Sequence, residues 1–264
     1  MNSSLVRALL PFMFLLSLGG CTHRPVPVEP PQQVSVSDWL PALQERGEHW
    51  LSYQARVRLR AETSEKKVTL NALVLARLPD QLRLEIFRMG QTVGVLTLNH
   101  SQSSLFVPSE KVIYIADRSE QLIDHFLGIA LPLDTLGYSL SASLPPEQLE
   151  GLQIIHHDPE WVGYAKPSPA GWSYAWHFLS SPQKIASASV KRGTSTYTIR
   201  YDPAVGLAVM DVPQKITFTS AQWQIELTVQ EITPAPILQD SVFSNNFAGE
   251  LQTIDLSRLR SENP

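Results

Sequence analysis

Between residues 55 and 117 apolar and polar side chains alternate with a period of two, and this constrains the fold more than any other feature of the chain. Ala55, Val57, Leu59 and Ala61 fall on one side of the first segment while Arg56, Arg58 and Arg60 fall on the other, because successive side chains of a strand leave opposite faces. The pattern continues through 68–77, 81–88, 92–98, 104–107 and 112–116. Leu78-Pro79-Asp80, Met89-Gly90 and Pro108-Ser109-Glu110 separate these runs as hairpin turns. The reading is a six-strand antiparallel meander with one apolar face and one wet face. An apolar face of that extent needs a cover, and the cover is either the protein's own core or a ligand.

The chain begins with a targeting segment. Arg7 is the only charge before an apolar run over 8–18, too short to span a bilayer comfortably. The run ends Leu18-Gly19-Gly20-Cys21, which resembles the lipobox of bacterial lipoproteins, cut before a cysteine whose thiol carries diacylglycerol. Residues 1–20 are then a signal peptide and Cys21 the lipid attachment site. Cys21 is the only cysteine among 264 residues, so no disulfide can form within the chain. In such lipoproteins the residue after the cysteine helps sort the protein, and Thr22, not being aspartate, implies the outer membrane, with the folded part facing the periplasm. Pro25, Pro27, Pro30 and Pro31 make 21–36 an extended spacer. The folded domain is 37–264.

Within that domain Ser37 is placed to cap a helix carrying Trp39, Leu40, Leu43 and Trp50 on one side, with Pro41 in its first turn and Glu45, Arg46 and Glu48 between. It covers either the core or a ligand on the following sheet. After the meander the period changes. Asp117 and Glu120 stand at capping-box spacing, and Leu122, Ile123, Phe126 and Leu127 form a helical stripe ending at Gly128. Pro132 starts a second short helix with Leu133, Leu136 and Leu140, which Pro145-Pro146 stops. This helical insert, 118–145, is rich in leucine and broken by glycine and proline, as a mobile cover would be.

Strands resume at 152–156, 171–178, 185–190, 195–201, 206–211, 214–219 and 222–229, with a last one near Val242. Trp172, Tyr174, Trp176 and Phe178 share a face. About twelve strands without a strong repeat make a mainly β fold with some α: a single antiparallel sheet curled into an open half-barrel, its concave side apolar and its mouth crossed by a lid of short helices.

Catalytic signatures are scarce. His156-His157-Asp158 with Glu160 is the one cluster of metal-competent side chains, but adjacent histidines on a strand diverge, and a solvated loop before Pro159 suits it better. No serine sits in a nucleophile elbow, and there is no phosphate loop or dinucleotide fingerprint. Neither an enzyme, a cofactor nor a metal is expected. A net charge of −4, a pI near 6.0 and no basic run give nucleic acid no purchase. A large apolar face beside movable apolar helices suits a lipid chain. Each buried methylene contributes about 0.8 kcal/mol, so one long acyl chain gains on the order of 10 kcal/mol before binding costs. The same leucines and tryptophans would serve equally to fill a closed core.

Asp117-Arg118-Ser119-Glu120-Gln121-Leu122-Ile123, then Leu127-Gly128 and Leu131-Pro132-Leu133, resembles the helical insert of the LolB family, the outer-membrane receptor of the lipoprotein-localisation pathway. The order of elements is similar as well, with Pro79-Asp80 preceding Leu82-Arg83-Leu84 in the meander. The resemblance implies a half-barrel whose cavity takes lipoprotein acyl chains from a soluble periplasmic carrier and passes them to the outer membrane, acting as a monomer. The expected acyl-chain contacts are Leu59, Leu70, Leu84, Ile86, Leu122, Phe126, Leu133, Leu136 and Trp176. That family inserts an exposed leucine from a loop between early strands; here the corresponding turn offers Met89. Two other readings stand beside this one. A non-carrier envelope lipoprotein would scaffold or regulate a complex through a surface such as the Arg56, Arg58, Arg60 stripe. A hydrolase would use His156 or His157, with no substrate to suggest.

Overall fold

Strand β1 (Ser52–Thr63) shows why the sheet forms. Ala55, Val57, Leu59 and Ala61 are buried, while Arg56, Arg58 and Arg60 are exposed, the pleat separating the two sets face by face. The computed structural model describes residues 36–100, 102–157, 160–168, 171–180, 183–234, 238–245, 247 and 249–259. The expected signal peptide, Cys21 and the proline-rich spacer lie outside the described residues. The described part belongs to one compact unit, Ser35–Pro264, which contains the whole sheet and its core.

The meander continues through β2 (Lys67–Arg77), β3 (Gln81–Arg88), β4 (Gln91–Asn99), β5 (Gln102–Val107) and β6 (Val112–Ala116). Three helices follow, α2 (Ser119–Leu127), α3 (Leu133–Ser141) and α4 (Pro146–Leu149), and α1 (Val36–His49) precedes β1. The second run is β7 (Gln153–His157), β8 (Glu160–Tyr164), β9 (Ser173–Ser180), β10 (Gln183–Arg192), β11 (Ser195–Gly206), β12 (Lys215–Thr219) and β13 (Trp223–Pro234). A 3₁₀ turn (Asp240–Phe243), β14 (Gln252–Asp255) and α5 (Leu256–Leu259) end the chain.

All fourteen strands form one curled, unclosed sheet in the order β14-β6-β5-β4-β3-β2-β1-β13-β12-β11-β10-β9-β8-β7. The first meander runs outward from β1, and the second runs inward from the far edge until β13 pairs with β1. The chain must therefore travel from β6 to β7, at the opposite edge, and α2, α3 and α4 make that crossing. The helical cover is thus a consequence of strand order.

Several local expectations change. The described residues hold fourteen strands, with β8 and the β14 that pairs parallel to β6 beyond those expected; near Val242 there is a 3₁₀ turn, with Phe243 buried. Helix α1 starts at Val36, so Ser37 is not its cap and Pro41 lies inside it, beyond the first turn. Asp117 does not cap α2: Arg118 precedes the helix, and its backbone N–H donates to Gln121 Oε1. Helix α3 ends at Ala142, in the left-handed region, before the two prolines, and Pro146 opens α4. His156 and His157 sit on β7 and are not in a loop.

Beyond Gly206, where β11 ends, the stretch 207–211 is not a strand, and Arg46 is the reason. Fully buried on α1, its guanidinium donates to the carbonyls of Ser141 and Ala142 at the end of α3 and to those of Gly206, Ala208 and Asp211. The carbonyls of Ala208 and Asp211, turned inward to one fork, cannot also form a ladder. Burial lowers the Arg46 pKa to about 10, which leaves it charged at neutral pH.

Helix α1 packs on the second half of the concave face. Trp39 meets Phe178 edge-on with ring centroids 5.0 Å apart, and Trp50 donates its indole N–H to the Val209 carbonyl. Helix α3 closes on the centre of the sheet: Tyr53 Oη donates to the Gly137 carbonyl at 2.6 Å, and a Cβ on Gly137 would lie 2.8 Å from Leu78 Cδ2. This half of the hollow is filled by the protein's own side chains.

Candidate functional site

The other half is not filled. Beneath α2, over β1 to β5 and the start of β13, lies a cavity of about 260 Å³ whose lining residues are all apolar. A far smaller apolar cavity, about 150 Å³, is known to stay dry and take up hydrocarbon. The pleat supplies its floor. Leu59 and Ala61 project from β1, Val68 and Leu70 from β2, Leu84 and Ile86 from β3, Leu105 and Val107 from β5, and Ile225 from β13. Helix α2 supplies the roof with Leu122, Ile123, Phe126 and Leu127, joined by Leu131 and by Leu133 and Leu136 of α3.

On β4 the pleat is interrupted. Ile86 pairs with Gly94 and Phe87 with Thr92, which leaves Val93 as an extra residue between them. A bulge of this kind re-aims side chains, and Val93 and Gly94 both line the cavity although they are neighbours in sequence. Val93 and Leu127, at 39% and 42% exposure, form its rim.

Of the nine residues expected to meet an acyl chain, Leu59, Leu70, Leu84, Ile86, Leu122, Phe126, Leu133 and Leu136 all line this cavity. Trp176 does not. It is buried where α4 fills the concave face, donates its indole N–H to Gln148 Oε1 at 2.9 Å and stacks with Tyr174. Alternation rightly turned Trp176 inward, but only packing decides which part of an inward face a helix occupies. The further lining residues on β1, β2 and β5 follow from the same alternation, whereas Val93 and Gly94 depend on the bulge.

Helix α2 is held at its first turn. Ser119 Oγ accepts the Leu133 N–H at 3.0 Å, and Glu120 pairs with Arg192 of β10 at 2.6 Å and with Arg118 at 3.6 Å. Gly128, at φ 67°, ends the helix. Beside α3 is a small polar recess containing Asp134, Tyr138, Glu147 and Tyr174. Burial raises the Asp134 carboxyl to about 6, against a hydrogen bond from the Thr135 N–H that favours the ionised form; Glu120 and Glu147 push it further up.

Met89 stands at the tip of the β3–β4 hairpin, 94% exposed. It and Gly90 have φ of 51° and 79°, the two positive values of a type I′ turn, a place that favours Asn-Gly. A methionine here is both strained and displayed to solvent.

The side chains of His156 and His157 lie outside the described residues. Glu160 approaches His177 Nδ1 at 3.3 Å, Asp158 lies outside the described residues, and among the described residues no three His, Cys, Asp or Glu side chains gather as a metal would require. In the arginine stripe, Arg56 pairs with Glu231 and Arg60 with Glu62, on the exposed face.

No protein-family model matches the chain, and no curated protein matches its sequence. Solved structures do match in fold. A domain from Vibrio parahaemolyticus named for outer membrane lipoprotein sorting is 12% identical, with a TM-score of 0.52 over 80% of this chain and 98% of its own. A DUF1329 family protein from Desulfovibrio piger is 7% identical, with a TM-score of 0.54 over 80% of this chain and 97% of its own. A LolA superfamily protein from Nitrosomonas europaea is 14% identical, with a TM-score of 0.49 over 79% of this chain and 98% of its own. At these identities the likeness concerns the fold alone: the open barrel is shared with a lipoprotein-sorting domain, and nothing in it singles out the LolB family.

Proposed function

We propose that this chain is a lipoprotein anchored by Cys21 in the outer membrane, facing the periplasm, which takes an acyl chain into the cavity under α2 and helps pass lipoproteins or lipids into that membrane. The observation that carries the reading is the all-apolar hollow of about 260 Å³ at one end of the sheet, with apolar residues at its rim. Apolar cavities with few polar groups bind by burying hydrocarbon, and this one suits a single chain better than a bulky lipid. Met89, exposed on a hairpin at the same end of the sheet, is the residue that would enter the acyl layer. A soluble periplasmic carrier is the expected donor, and the likeness to a lipoprotein-sorting domain supports the same direction.

Filling the cavity tests this without unfolding the protein. A Cβ on Gly94 would make only ordinary contacts, 3.6 Å to Leu105 Cδ1 and 3.8 Å to Ile86 Cδ1, so Gly94→Leu places a side chain inside the hollow. Binding of a fluorescent fatty acid should fall at least tenfold while the melting temperature holds or rises, the opposite of what a damaged core would give. Undiminished binding in Gly94→Leu, or no binding by the unaltered protein, would end the proposal.

A further inference from the structure

Six arginines of this protein have a carboxylate partner: Arg56 with Glu231, Arg60 with Glu62, Arg77 with Asp240, Arg83 with Glu85, Arg118 and Arg192 with Glu120. Arg58 and Arg88 pair with no described carboxylate, and both are exposed. They line one recess of about 400 Å³ on the outer face of the sheet, together with Thr69, Asn71, Gln230 and Met89. No acidic residue lines it. The carboxylate of Glu62, on the same strand as Arg58, is already engaged by Arg60 and Lys67.

Two unpaired guanidinium groups with a hydroxyl and two carboxamides form a donor-rich hollow suited to a phosphodiester, since arginine meets phosphate oxygens with paired N–H groups. The wall of that hollow includes the most exposed apolar side chain described, Met89 at 94%. An apolar tip beside a phosphate-binding recess has the two chemistries of a phospholipid surface in the right order, hydrocarbon outermost and phosphate behind it.

We infer that Arg58 and Arg88 bind the phosphodiester groups of anionic phospholipids, holding the protein mouth-first against the bilayer while Met89 enters it. The inference rests on the membrane-delivery reading above, and names the headgroup chemistry that reading leaves open.

The test uses the compact unit from Ser35 onward, which has the complete sheet and core but no anchor of its own. It is sedimented with vesicles of phosphatidylcholine alone or mixed with phosphatidylglycerol. The unaltered unit should prefer the anionic vesicles and lose the preference at high salt. The double variant Arg58→Gln, Arg88→Gln should bind them roughly thirtyfold more weakly, the product of two cationic contacts with an anionic surface. Its melting temperature should stay unchanged. Equal binding of both vesicle types, or a double variant that sediments like the parent, overturns the inference. So does inorganic phosphate bound at the recess in a protein indifferent to vesicles, which would mark a free-anion site. Fatty-acid binding is measured on the same samples. Its absence alongside intact vesicle preference would sink the cavity reading alone, and lost vesicle preference with intact fatty-acid binding would sink this one alone.

Discussion

Arg192 Nη1 donates to Glu120 Oε1 at 2.6 Å, which ties the first turn of α2 to the end of β10, a strand on the far side of the hollow. Arg192 also lies over the Trp172 ring, 5.4 Å from its centroid, and the Glu120 side chain is only 11% exposed. The pair bridges the filled half of the barrel and the roof of the empty half.

Arg192→Gln should therefore loosen α2 as well as destabilise the fold. A carboxylate this enclosed, left with only Arg118, costs about 1–2 kcal/mol after allowance for the exposure of Arg192. Urea denaturation should show that loss. Stopped-flow fluorescence should show faster uptake and release of a fatty-acid probe, because the roof opens more often. Slower or unchanged exchange would mean that α2 does not gate the cavity.

Arg46→Met should be among the most damaging single changes in the protein. It leaves five inward-facing carbonyls without the fork that gathers them, and a penalty of at least 3 kcal/mol follows. Arg46→Lys should rescue little, because one ammonium cannot reach carbonyls spread over α3 and residues 206–211. Thermal unfolding of both variants, with Lys close to Met and well below the parent, is the expected outcome.

The Asp134 carboxyl, raised from 3.8 to about 6 by burial, makes stability depend on pH with a definite sign. Between these values the folded protein holds a proton that the unfolded chain has released, so the contribution of Asp134 to stability is greatest below about pH 4 and falls as pH rises towards 6. Asp134→Asn keeps an acceptor for the Thr135 N–H and removes the titration. Its melting temperature should exceed the parent's at pH 7.5, by about 1–2 kcal/mol in stability, and the difference should shrink at pH 4.5.

Met89→Asn should separate stability from function. Asparagine tolerates the left-handed region that Met89 occupies at φ 51°, and with Gly90 it forms the favoured type I′ pair, so the fold should gain about 1 kcal/mol. Transfer of a fluorescent acyl chain to vesicles should slow. A variant that is both more stable and fully active would deny Met89 any part in membrane contact.

Much of this is legible in the sequence. Leu59, Leu70, Leu84 and Ile86 could be assigned to an inward face because a strand admits only two directions, and Leu122 and Phe126 could be assigned to one stripe because a helix has a fixed pitch. The bulge at Val93, the turn of residues 206–211 towards Arg46 and the hydrogen bond between Trp176 and Gln148 were not legible. Each depends on partners far along the chain, whose identity no local period reveals.

The chain's own order of residues determined that there would be an apolar face, where most of its strands would lie and that short leucine-rich helices would interrupt them, since these follow from nearest-neighbour geometry and the transfer of side chains from water. Tertiary structure alone decided which half of the concave face would be filled. That choice depends on where α1 and α3 come to rest: a glycine at position 137 lets one helix sit close, and Arg46 draws the far loop inward. The volume left over, which no single residue encodes, is the cavity.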